Sequence, residues 1–463
     1  MSYCLFDRYT RAVSLTAPKL AVSPRGLLLD GYWISERHFY YLSEQVDHES
    51  GLTVPIPSLA DATSGTTREL LPIRLLQQLL STASGKTLGM EQFLTATFDA
   101  RDLQTLGITV NGVDYVVDVS RRAVISMAPS LNVPALYSPD GRYACYLDGY
   151  NLSLRELGSG VRRPITTAGV SRYGYGRESE TGLAAVAYRE RATPVGVWSP
   201  DSAWFFTFRI DERNLPELPL VQNHPPGGGR PRLHTFKYPY PGDPLPIVIG
   251  VAIHISGRVL EFGEFASPLT AFSLWRRAWF DRDGAVWWLQ FDRYCKKANL
   301  VRLDLESGRG AIVLSEVVDH GYLEPHPVIV GTPNVRVLTR SQEIIWYSER
   351  DGWGHLYLYD ARSGKLKNQI TGGNWLVRDL VEIDERRREV LFLAGGVDPD
   401  ADPSRRMLCK IGLDGSHFQI LARHDGDVFV SPTEPCGTEQ DRPFRPAYAP
   451  EGISPDGRYR VIR

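Results

Sequence analysis

The stretch "YSERDGWGHLYLYDARSG", residues 347–364, decides the fold. Asp351-Gly352 is a turn dipeptide, because glycine takes the positive φ of a tight hairpin at no steric cost. His355 to Tyr359 behind it read as an extended run rich in aromatic residues, and Asp360 to Gly364 close that run with a second turn. Two hairpin signals in so short a span point to a β-meander.

Both signals recur on either side. An alternating strand ending in an acidic, serine or glycine turn appears as "VDYVVDVSRR", "NLSLRELGSG", "GVAIHISGRV", "NLVRLDLESG", "HLYLYDARSG" and "MLCKIGLDGS". The later starts fall about fifty residues apart, with one gap of about twice that, which accommodates a repeat of four strands. A D-G-type turn ahead of an aromatic or β-branched run precedes each at a variable distance, in "YSPDGRYACYL", "WSPDSAWFFTF", "FDRDGAVWWLQF", "YSERDGWGHLYLY" and the terminal "ISPDGRYRVI". Two hairpin types repeating in one order describe a propeller blade, whereas a β-sandwich would not repeat them so. The expected fold is an all-β propeller.

The 463 residues carry 52 Lys+Arg against 54 Asp+Glu, so no strong field favours nucleic acid, an acidic polymer or an anionic membrane. Cys4, Cys145, Cys295, Cys409 and Cys436 lie far apart without a C-x-x-C, which argues against a zinc site and a disulfide scaffold. The N-terminus lacks a basic region followed by an apolar stretch, and no long apolar run occurs, so a cytoplasmic location is the default, with no membrane and no nucleic acid as partner.

Residues 1–100 differ in texture from residues 101–463, the expected propeller. "WISERHFYYLSEQ" is strand-like and "STASG" and "DATSG" read as loops. Leu70, Leu71, Leu75, Leu76, Leu79 and Leu80 are spaced for one amphipathic helix. Residues 209–246 are too rich in proline and glycine for a regular central strand and should run over the surface or between blades.

Motifs for chemistry are sparse. "SGKT" at 84–87 has Leu80 where a phosphate-binding loop needs glycine, and follows a helix, which makes Gly85 a helix C-cap. No serine has glycine two residues away on both sides, as a nucleophile elbow requires, and no H-E-x-x-H is present. No catalytic residue, cofactor or metal is assigned. His224, in "HPPGGGRP", reads as a solvent-exposed loop histidine. Glu178 and Glu180 in "YGYGRESETG" are the most suggestive carboxylates, since two nearby acids neutralise an ammonium group, and alternation puts both on one face of an extended segment. The alternative is a solvated acidic loop among Arg172, Arg177 and Arg189. Trp275, Trp279, Trp287 and Trp288 fit packing between blades better than a ligand platform.

These residues resemble a known family. "RDGWGHLYLYDARSGKLKNQIT", "SPDGRYACYLDGYNLSLRELGSGVRRPITTAG" and "WSPDSAWFFTFRIDERNLPELPL...RPRLHTFKYPYPGDPLP" are similar to the N-terminal β-propeller region of bacterial dipeptidyl peptidase IV-like serine peptidases, of the prolyl oligopeptidase clan. The resemblance runs from about residue 100 to the end, and more loosely through the helix and "GKT" segment. It implies an eight-bladed propeller that caps an α/β-hydrolase domain and screens peptides with a free amino terminus. That hydrolase domain would follow the propeller, where this chain stops six residues into the strand "RYRVIR", so a truncated, last-blade-incomplete form is expected to be inactive alone. The family grips the substrate's amino terminus with adjacent glutamates, and Glu178 and Glu180 occupy the corresponding window without being adjacent. A free-standing protein- or peptide-binding propeller is the alternative. An open terminal strand edge predicts self-association, which a monodisperse monomer with one cooperative melt would contradict.

Overall fold

The computed structural model describes residues 31–422 apart from 36, 101–102, 131–132, 158–159, 180, 182–192, 226, 270–276 and 324–332. The chain divides near residue 132 into two compact units.

In the first unit two antiparallel sheets run in chain order, Gly31–Trp33, His38–Val46, Thr53–Asp61 and Thr66–Glu69, then Thr97–Ala100, Thr105–Val110, Val113–Asp118 and Ala123–Pro129. Pro55 and Pro57 stand inside the third strand of the first sheet, which hid its strand character from the residue pattern. The leucine spacing forms the helix Ile73–Ser84, which buries Ile73, Leu76 and Leu80 and ends at Gly85 with φ 66°. "STASG" is therefore not a loop: its first four residues are the last helical turn. Thr82 Oγ1 donates to the Gln78 carbonyl at 2.9 Å and Ser84 Oγ to that of Leu80 at 2.8 Å, so the hydroxyls bond back along the helix.

Among the described residues from 133 onward, five sheets of four or five strands follow. Four are four-stranded: Ala135–Tyr137 to Arg162–Pro164, Ala278–Phe280 to Arg309–Val317, Arg336–Leu338 to Leu366–Gln369, and Leu376–Asp384 to Gln419–Ala422. The fifth joins Tyr173–Tyr175 and Gly196–Trp198, side by side on Trp204–Asp211, with Ile247–His254 and Val259–Pro268. The six recurring strands of the sequence pattern are the third strands of their sheets: Val113–Asp118, Asn151–Glu156, Ile247–His254, Lys297–Asp304, His355–Asp360 and Arg406–Gly412. The second signal is less uniform. It links first to second strands at Tyr137, Trp198 and Phe280, but Asp351-Gly352 links the second strand Glu343–Ser348 to the third. In that sheet the first hairpin turns at Gln342, with φ 55° and no glycine.

The 173–268, 278–317 and 336–369 sheets bury both faces, so alternation sorts their residues between two neighbours. In the fully buried strand "EIIWYS", Ile344 and Trp346 pack with Trp287, Leu289 and Phe291 of the preceding sheet, while Ile345 and Tyr347 pack with Val377, Val390 and Phe392 of the following one. Further layers join the 135–164 sheet to the 173–268 sheet and that sheet to the 278–317 sheet. First strands adjoin one another, 135–137 against 196–198 and 196–198 against 278–280. Sheets radiating from adjoining first strands make a β-propeller.

Contrary to expectation, the proline- and glycine-rich segment 209–246 begins inside a central strand, since Arg209–Asp211 end Trp204–Asp211; farther on it pairs with itself, as the ribbon Glu217–Gln222 and Arg232–Lys237. Trp287 and Trp288 are core residues, 3% and 1% exposed, on opposite faces of their strand, and Trp279 packs in the layer of Trp287. Cys145 and Cys409 are buried and Cys295 is half-buried. Burial pushes the Cys145 thiol up, which makes it unreactive. Trp275, Cys4, Cys436 and the run 453–462 lie outside the described residues.

Candidate functional site

The window holding Glu178 leaves the short strand Tyr173–Tyr175, which pairs with the last residues of Trp204–Asp211. Gly176 takes φ 63°, because a side chain there would press on Leu152, and 176–179 carry no strand. Glu178 is exposed in that segment, beside Ser179, whose hydroxyl donates to Glu212 Oε1 at 2.5 Å. Glu180 lies outside the described residues, as does Arg189.

Beneath this segment lies a charged layer. Glu212 is 3% exposed, its amide donates to the Arg172 carbonyl at 2.8 Å, and Arg172 Nη1 approaches its Oε2 at 4.0 Å. Arg209, 8% exposed, donates from Nη1 to Glu261 Oε1 at 3.0 Å and from Nη2 to the Ala168 carbonyl at 2.7 Å. Its guanidinium carbon lies 3.6 Å from the Tyr173 ring centre and 4.4 Å from that of Tyr175. Tyr175 Oη donates to the same Glu261 oxygen at 2.8 Å; burial first, then that carboxylate, pushes the phenol up. Two hydrogen bonds from Arg213 hold Asp211 below the usual carboxylate range despite partial burial. Arg177 instead turns away, donating to the Gly149 carbonyl at 2.8 Å.

Chemically this is a platform: an exposed carboxylate on a segment tied to a buried second carboxylate, over stacked tyrosine and arginine. It suits ammonium recognition by charge-assisted hydrogen bonds. The residue pattern found Glu178 but not Arg209, Glu212 or Glu261. The available signal was Arg209 inside the otherwise apolar run "WFFTFRI", since a charge there must find partners. Arg209→Lys is expected to lower stability by about 1 kcal/mol, through loss of the stacked planar fork. Urea denaturation checks it, and an unchanged midpoint would contradict the role.

A serine, a histidine and an aspartate also meet in the first unit, without forming a nucleophilic triad. Ser35 Oγ and His38 Nδ1 are 2.8 Å apart, but His38 Nε2 to Asp61 Oδ2 is 3.7 Å, beyond a hydrogen bond. The Ser35 hydroxyl accepts the His38 amide at 3.1 Å, and His38 and Asp61 face each other simply as cross-strand partners. Among the described residues no cluster of His, Cys, Asp and Glu is arranged to hold a metal, and no helix is long and apolar enough to cross a membrane.

Sheets packed face to face around adjoining first strands, with a polar cluster at the end of Trp204–Asp211, define a β-propeller. The chain belongs to the dipeptidyl peptidase IV (DPP IV) N-terminal region family, whose model matches residues 108–433. It is 26% identical over 339 residues to the protein named "Probable dipeptidyl-aminopeptidase B" of Aspergillus fumigatus, covering 67% of this chain and 35% of that protein. It thus spans about a third of the length of such curated relatives. Porphyromonas gingivalis dipeptidyl peptidase 4 superposes with a TM-score of 0.60 at 17% identity, over 90% of this chain and 56% of that one. A solved structure from Bacteroides ovatus gives 0.62 at 17% identity, over 96% and 58%. These likenesses support the propeller fold.

Proposed function

We propose that this chain is the substrate-gating, noncatalytic propeller portion of a dipeptidyl peptidase IV-like serine exopeptidase. Its platform holds the free amino terminus of a peptide at Glu178, with Glu180 as second carboxylate, while an α/β-hydrolase domain supplies nucleophile, base and acid. The observation that carries the reading is the bond from Ser179 to buried Glu212, which fixes the segment presenting exposed Glu178. Membership of the family supports peptides as the ligand class and the hydrolase domain as the partner.

A fixed carboxylate near a second acid favours an ammonium and rejects an acetylated terminus, which has neither the charge nor the donors. The test is calorimetric titration of the chain with a short peptide carrying a free or an acetylated amino terminus. Free peptide should bind about tenfold more tightly, a difference that Glu178→Gln reduces. Equal affinity for both peptides would overturn the amino-terminus role. Hydrolysis of either by the purified chain would overturn its noncatalytic assignment.

A further inference from the structure

Between the 278–317 and 336–369 sheets, where their second and fourth strands end, lies a cavity of about 240 Å³. Phe291, Ala298, Val318, Leu323 and Trp346 supply apolar walls, and Glu316, Glu349 and Arg350 supply charge. The volume is below the several hundred Å³ of pockets for drug-sized ligands and suits a molecule of amino-acid size.

Glu316 and Arg350 are held rigidly. Glu316, on the outer strand of one sheet, accepts the Trp346 indole N–H and the Ser348 hydroxyl of the next sheet, one on each carboxylate oxygen. A carboxylate offers about four lone-pair sites, so each oxygen can accept again. Arg350 Nη2 stands 3.4 Å from Glu316 Oε1, its Nε donates to Ser348 Oγ at 2.9 Å, and its guanidinium carbon lies 4.2 Å from the Tyr357 ring centre. The fork is thus oriented with donors to spare. Tyr322, 64% exposed, stands at the cavity's edge.

We propose that this cavity binds the zwitterion of an apolar amino acid, with its ammonium on Glu316, its carboxylate on Arg350 and its side chain among Phe291, Val318 and Trp346. A carboxylate and a guanidinium side by side over an apolar floor match the two charges and one apolar substituent of such a ligand. An amine alone would leave Arg350 unused, and a fatty chain would make no contact with either charge's spare hydrogen-bonding capacity. The site uses none of the residues assigned to the peptide amino terminus, and it stands or falls separately from that assignment.

The experiment is calorimetric titration of the full chain with L-leucine, leucinamide and N-acetyl-leucine. Leucine is expected to bind, and each blocked analogue to bind about tenfold more weakly for the loss of one charge-assisted contact. Val318→Phe, which fills the cavity without touching either charge, should abolish binding. Glu316→Gln and Arg350→Lys should weaken leucine about tenfold wherever the variants fold. No leucine binding up to about 10 mM would overturn the proposal, as would blocked analogues binding as well as leucine or binding that survives Val318→Phe.

Discussion

Replacing Glu343 with glutamine is expected to cost about 3 kcal/mol at neutral pH, as when one partner of a buried ion pair is removed. The carboxylate is 2% exposed at the start of the second strand of the 336–369 sheet. It accepts from Lys367 of the same sheet and from Arg388 at the first turn of the 376–422 sheet, so it ties two sheets together. Burial alone would raise its pKa, yet the hydrogen bonds from Arg388 and Lys367 win and hold it at about 2. Because the folded value lies below the ordinary one near 4.3, the contribution is complete above that pH and fades as pH falls toward 2. Lys367 and Arg388 are 44% and 43% exposed, so water takes up part of the loss, which keeps the expected cost at the lower end of the range for such pairs. Urea midpoints should separate wild type from variant at pH 7, draw closer at about pH 3 and converge only below the folded value of about 2. Equal midpoints at pH 7 would show that the two cations do not need the carboxylate.

Trp288→Ala is expected to cost more, about 4 kcal/mol, through lost burial and the cavity left behind. The ring lies between the 173–268 and 278–317 sheets, 5.4 Å from Phe208, in space that Gly250 leaves free. A Cβ on Gly250 would come within 3.0 Å of both Trp288 and Phe206, so the glycine and the tryptophan are matched in volume. Trp353→Ala, at a site 40% exposed, should change stability by less than about 0.5 kcal/mol. Urea denaturation of both compares them directly; similar losses would contradict inter-sheet packing as the source.

The contrast between those two tryptophans shows what was legible in the residues. Third strands announced themselves, because each ends in an acidic or glycine turn after alternating residues, as at His355–Asp360. The sheet of Gly31–Trp33 to Thr66–Glu69 did not, since Pro55 and Pro57 disguise its third strand. Inter-sheet tryptophans were readable from their number and spacing. The polar platform was only half readable: Glu178 stands in a suggestive window, but Glu212 and Glu261 come to it from strand ends far along the chain. Pairings of that kind are set by sheet register, which no local pattern encodes. The hairpin at Asp351-Gly352 is legible as a turn but its place between second and third strands is not, because a D-G turn serves a first or a second hairpin equally well.

The most direct test of the proposed function is dipeptide release by the protein isolated from its native cells, assayed on one peptide with a free and with an acetylated amino terminus. Release of the N-terminal dipeptide from the free peptide alone is the predicted result. No release, or equal cleavage of both peptides, would contradict a propeller that gates an aminodipeptidase.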